Sequence, residues 1–75
     1  MGRQATTDEF EDYRENGLCP YCYAEDVFED GLIEEGDVRR RAMYCSKCEL
    51  HWTEVHSRAA DGWSMTGLFL DDAED

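Results

Sequence analysis

Positive charge is scarce in this chain, and lysine is nearly absent. Seven Lys and Arg stand against nineteen Asp and Glu, so the formal net charge is −12 and the pI about 4.3. Lys47 is the sole lysine. A basic nucleic-acid clamp is excluded, because a phosphate-binding surface needs excess positive charge. Long hydrophobic runs are missing as well. No stretch approaches the roughly 20 apolar residues of a membrane span. Met1 to Phe10 carries no apolar segment of a secretion signal. A soluble, cytoplasmic protein with no membrane partner is the expectation. Also missing are a Gly-rich phosphate loop and a Ser or Cys nucleophile paired with a histidine. Neither catalysis nor a small-molecule substrate is expected.

The chain is also short. Its 75 residues make one small domain. Domains below about 80 residues usually need a metal, disulfides or a partner to hold together. The cysteine spacing says which. Cys19-Pro20-Tyr21-Cys22 and Cys45-Ser46-Lys47-Cys48 form two C-x-x-C pairs with 22 residues between them. Such pairs read as a tetrahedral four-cysteine site for one structural Zn2+. Two disulfides are the competing reading. They are disfavoured without a secretion signal, and C-x-x-C is a short loop for a structural bridge. Four thiolates and one zinc ion leave a local charge of about −2. Backbone N–H groups of the knuckles, and Tyr21 and Lys47 between the ligands, are placed to steady that charge. A closed tetrahedron has no open position for activating water.

Around the knuckles the pattern predicts one helix and a small sheet. Residues 1–6 show no periodicity and read as a flexible tail. Thr6 with Glu9 fits a capping box, Phe10 and Tyr13 share a helix face, and Asn16-Gly17 is a stop signal. A short helix over Thr7 to Glu15 follows, too short to persist undocked. Val27 to Ile33 and Val38 to Tyr44 read as a hairpin around the Glu34-Glu35-Gly36-Asp37 turn. His51 to Arg58 is a third strand, and Trp63 to Leu70 a fourth, joined at Ala60-Asp61-Gly62. Residues 7–70 are thus a single domain, and residues 71–75 an acidic tail. Trp52, Trp63, Phe69, Tyr44 and Phe28 are the expected core, since aromatics bury the most area each.

Knuckle, hairpin, knuckle, strand is the order of a zinc ribbon. From Cys19 to Arg58 the chain resembles that family in its four cysteines and in Trp52, four residues beyond Cys48. It also resembles the small C-P-x-C zinc proteins of archaea, bacteria and phages. The resemblance implies a small metal-stabilised β fold, a zinc ribbon of three to four antiparallel strands with a short N-terminal helix. Family members usually carry Gly directly after each C-x-x-C, where this chain has Tyr23 and Glu49. A more distant likeness is to transcription-factor ribbons of the elongation factor S type, which bear an Arg-rich hairpin arm. Their adjacent Asp-Glu pair at the hairpin tip is replaced here by Glu34, Glu35 and Asp37, so their activity is not carried over. The acid-rich, lysine-poor composition looks like that of halophilic or viral proteins, in which carboxylates keep a surface hydrated in strong salt.

These features imply a non-catalytic zinc-ribbon interaction protein. It would regulate transcription or replication machinery through protein–protein contacts. One alternative is nucleic-acid binding through the Arg39-Arg40-Arg41 hairpin, which the net charge disfavours. Internal pairing of those arginines with carboxylates is the plainer reading. Another alternative is a rubredoxin-like iron carrier, since thiolates also hold iron. His51 is expected at the surface or beside the metal ligands, because four cysteines complete the coordination, and neither His51 nor His56 has a Ser or Cys nucleophile partner.

Overall fold

The computed structural model describes residues 3–71. Its elements are β1 (Arg3–Gln4), α1 (Thr7–Asn16), β2 (Val27–Glu35), β3 (Val38–Cys45), β4 (His51–Ala59) and β5 (Gly62–Asp71). The strands form one antiparallel five-stranded sheet in the order β1-β5-β4-β3-β2. The two hairpins foreseen from the turn residues are present. The sheet has one strand more than expected, because Arg3 and Gln4 lie in the stretch read as a flexible tail. They pair instead with Leu70 and Phe69, and the Ala5 N–H donates to the Leu68 carbonyl at 2.8 Å. A two-residue strand carries too little pattern to be legible in sequence. Of the acidic tail, Asp71 ends β5, and residues 72–75 lie outside the described residues. Among the described residues no helix is long and apolar enough to cross a membrane.

The helix starts where its cap dictates. Thr6 accepts from the Glu9 N–H at 3.2 Å, and Glu9 accepts from the Thr6 N–H at 2.9 Å, closing the capping box. Arg3 adds a two-pronged contact to the same carboxylate. The Arg3 guanidinium, with the Thr6 N–H behind it, holds the Glu9 carboxyl down to about 2. Gly17, at φ 69°, ends the helix in the left-handed conformation and donates to the Tyr13 carbonyl.

The helix docks on one face of its own chain's sheet, over β4 and β5. Side chains alternate across a strand, so the register assigns each face. Met43, Trp52 and Leu70 line up on the covered face. Together with Tyr13, Leu68, Cys19 and Cys45 they make the buried core. Trp52 is its centre, 1% exposed, with the rings of Tyr13 and Tyr21 edge-on to it at 6.1 and 5.9 Å.

Of the five aromatics expected in the core, only Trp52 is buried. Phe28 and Phe69 are 55% and 42% exposed, and Tyr44 and Trp63 are half-buried. For Phe28, Tyr44 and Phe69 the reason is architectural: among the described residues the sheet has one helix to cover it, and the second face has no layer above it, whereas Trp63 lies on the helix side, against Arg39 and Arg58. Ala42 and Tyr44 of β3 lie on that bare face, and Val55 of β4 with them. Trp52 and Val55 therefore point to opposite faces. The bulge lies beyond Val55, where the β4–β5 register shifts.

Candidate metal centre

Both knuckles sit at one end of the sheet. The first follows α1, and the second is the tight turn between β3 and β4. Their backbones are closed in the same way. The Tyr23 N–H donates to the Cys19 carbonyl at 2.9 Å, and the Glu49 N–H to the Cys45 carbonyl at 2.8 Å. Tyr23 and Glu49 both hold positive φ, 61° and 63°. These are the two positions where the resembled family carries Gly. A side chain in the left-handed region costs about 1–2 kcal/mol, offset in part by the flexibility Gly adds to the unfolded chain. Tyr23→Gly and Glu49→Gly should each stabilise the metal-loaded protein by up to about 1 kcal/mol, read as a higher urea midpoint.

The four sulfur atoms converge. All lie within 4.8 Å of one another, and none is in a disulfide. Cys19 Sγ to Cys48 Sγ is 3.6 Å, and Cys22 Sγ to Cys45 Sγ is 3.7 Å. A metal–sulfur distance of about 2.3 Å in a tetrahedron gives edges of about 3.8 Å. The cluster is therefore positioned to hold one metal ion. Cys19 and Cys45 are wholly buried and belong to the core, whereas Cys22 is exposed. The N–H groups of Tyr21 and Cys22 point at Cys19 Sγ, at 3.4 and 3.5 Å. Burial pushes the Cys45 thiol up, but the N–H groups of Cys48 and Lys47 outweigh it and bring it down to about 7. Burial and the neighbouring sulfurs push Cys48 up to about 12. Lys47 thus acts on the site through its backbone. Tyr21 also braces it from the side, its hydroxyl donating to the His51 carbonyl at 2.6 Å.

Thiolates release a metal when they are protonated. Acid unfolding should therefore coincide with ion loss. The Glu9 cap behaves differently. Its depressed pKa gives stability above the ordinary carboxylate pKa that is lost only as pH falls toward about 2. Glu9→Gln removes that contribution throughout the pH range in which the ion is lost, so the acid midpoint should move slightly upward, with fold and bound metal still lost together in one titration.

The remaining residues singled out in the sequence are placed elsewhere. Arg39 and Arg41 share the covered-face side of β3, and Arg40 lies on the bare face. Each has a carboxylate partner. Arg39 pairs with Glu34, Arg40 with Glu35 at 3.0 Å, and Arg41 with Glu29 at 3.4 Å and Glu54 at 3.2 Å. Arg39 also stacks on the Trp63 ring, 4.2 Å from its centroid. His51 is exposed and packs against Tyr44.

His56 leads to a feature that the sequence reading missed. Glu54 is buried, 6% exposed, on the covered face of β4. Its carboxylate meets the Tyr13 hydroxyl, Arg41, and His56 Nε2 at 2.9 Å, while Trp52 Nε1 donates to the Tyr13 oxygen at 3.0 Å. Burial and the adjacent carboxylate push the Tyr13 phenol well above its ordinary range, so it stays a donor. The trace in sequence was Glu54 two residues from Trp52, on the apolar face of a strand. No family model, curated protein or solved structure matches the chain.

Proposed function

We propose that this chain is a non-catalytic interaction module, a zinc ribbon whose single Zn2+ is structural and whose work is done by protein–protein contacts. The observation that carries this reading is the bare sheet face. A sheet covered on one side is normally polar on the other. Here the open side presents Phe28, Ile33, Ala42, Tyr44, Val55 and Phe69, with Phe28 and Ile33 more than half exposed. A contiguous exposed apolar face is a signature of a binding surface. Four thiolates favour zinc in a closed site that stabilises the fold and leaves no reactive position. The chemistry in the interior is committed to structure as well, since the Glu54 carboxylate is met by three partners. By its likeness to transcription-factor ribbons, the module acts as a regulator on transcription or replication machinery. Its carboxylate-rich remainder suits work in strong salt.

The test is capture from host lysate at the host's own salt, with nuclease and without, using wild-type bait and an Ile33→Asp, Phe69→Ser bait. A protein that survives nuclease and is lost with the altered bait is the expected result. Capture that vanishes with nuclease, or that is identical for both baits, contradicts the reading. The first of those outcomes would move the contact to Arg39, Arg40 and Arg41.

A further inference from the structure

The bare face carries two glycines in strand interiors, each beside a bulge: Gly31 where the β2–β3 register shifts and Gly67 where the β4–β5 register shifts. Gly31 of β2 and Gly67 of β5 are not among the positive-φ glycines. A Cβ at Gly31 would meet only Ala42 Cβ, at an ordinary 3.7 Å, and one at Gly67 would meet Val55 Cβ at 3.4 Å and the ring of the chain's own Phe69 at 3.7 Å. Glycine inside a strand costs about 0.5–1 kcal/mol relative to Ala and often marks a close approach by another surface.

The register shows what would approach. One row across the face reads Phe69, Thr53, Ala42, Gly31 from β5 to β2, and the next reads Gly67, Val55, Arg40, Ile33. In each row a large exposed side chain stands on one of the strands β5 and β2 and a glycine on the other, in opposite senses. Rotation by 180° about an axis along the strands, between β3 and β4, lays β2 of one copy over β5 of another. Phe69 then meets Gly31 of the second copy, and Ile33 meets its Gly67. Phe69 and Ile33 are 42% and 58% exposed. A hollow of 200 Å³ over Gly31, Ala42 and Thr53 lies where the Phe69 ring would enter.

Charge selects the same occupant. From the Tyr44 row to the Ser57 row, the paired positions of this face carry Arg40, Glu35 and Asp71, of which Arg40 and Glu35 neutralise each other at 3.0 Å. The net charge of the whole chain is −12, so nearly all of it lies off this face. A basic protein or a nucleic acid would find little matching charge on this face, whereas a second copy presents an equally weakly charged surface.

We infer that the bare face is a homodimer interface, in which two copies pack sheet on sheet about a two-fold axis, with Phe69 and Ile33 as knobs and Gly31 and Gly67 as holes. The geometry is the aligned packing of a β-sandwich, with strands crossing at about 30° and sheets about 10 Å apart. Isologous pairing of one patch with itself is the commonest oligomeric arrangement. The inference rests on the reading of this face as a protein-contact surface and names its partner.

Sedimentation equilibrium on the purified, metal-loaded chain tests it, at low and at molar salt. The expected mass is twice the 8.7 kDa of the chain. Dimerisation should tighten as salt rises, because screening relieves repulsion between two acidic bodies while the contact itself is apolar. Gly31→Val should weaken it by about 30-fold or more, the effect of a central contact residue. Ile33→Asp should do the same. Both positions lie on the exposed edge strand, so each variant keeps its metal and its fold. A monomeric wild type, a dimer that weakens with salt, or a dimer indifferent to both substitutions overturns the inference. A monomeric wild type whose bare face still captures a different protein from lysate overturns the homodimer and leaves the contact-surface reading standing.

Discussion

Cys22→Ser should unfold this protein although Cys22 is exposed and contributes nothing to the hydrophobic core. The expectation follows from magnitudes. Among the described residues the buried hydrophobic core numbers seven, two of them cysteines of the four-sulfur cluster. A domain's net stability is about 5–15 kcal/mol, and binding of a structural zinc ion supplies about 10–16 kcal/mol. The ion therefore contributes as much as the whole surplus. Without it, four sulfurs within 4.8 Å of each other must share a small volume, two of them buried. Loss of one ligand opens the site to water and weakens binding. Stripping the metal from the wild type with a chelator should do the same. The readout is amide dispersion in NMR or the near-ultraviolet signal of Trp52, and both should collapse in step with metal release. A folded metal-free chain would show that the core suffices by itself.

Glu54→Ala should be the most damaging substitution outside the metal site. It should cost about 3–5 kcal/mol, the usual penalty for removing one partner of a buried charged network. Arg41, His56 and the Tyr13 hydroxyl all address this carboxylate. Without it, the Tyr13 hydroxyl loses its acceptor in the middle of the helix–sheet interface. Tyr13→Phe keeps the ring against Trp52 and removes only the hydroxyl, so about 1–3 kcal/mol is expected. The double variant should cost less than the sum of the two, because both act on one network. Urea unfolding of the metal-loaded proteins gives these values. Metal content should stay unchanged, which separates this effect from ligand loss.

Local features of this fold were legible in sequence, and the long-range ones were not. The cap at Thr6 and Glu9, the stop at Gly17 and the hairpin turns each depend on a few neighbouring residues whose chemistry is specific. The convergence of the four cysteines was legible for the same reason, since C-x-x-C spacing is set by the geometry of one knuckle. Burial depends on what covers a face, and that is a tertiary fact. Phe28 and Phe69 were read as core because aromatics bury well, yet one ten-residue helix can cover only part of a sheet. Glu54 was passed over because a carboxylate in a strand usually faces water. Its partners Tyr13 and Arg41 are 41 and 13 residues away in sequence, with no local signal linking them. Tyr23 and Glu49 stood out as missing glycines, and the backbone carries them through positive φ all the same. The turn is imposed by the knuckle hydrogen bonds and, when bound, by the ion.

X-ray absorption at the edge of the bound metal, on protein purified from its native host, tests the central claim most directly. A four-thiolate zinc site gives a zinc edge and a single shell of four sulfurs at about 2.3 Å. A nitrogen or oxygen scatterer in that shell, a sulfur count below four, or an iron edge in place of zinc would contradict the closed structural zinc site on which this account of the molecule stands.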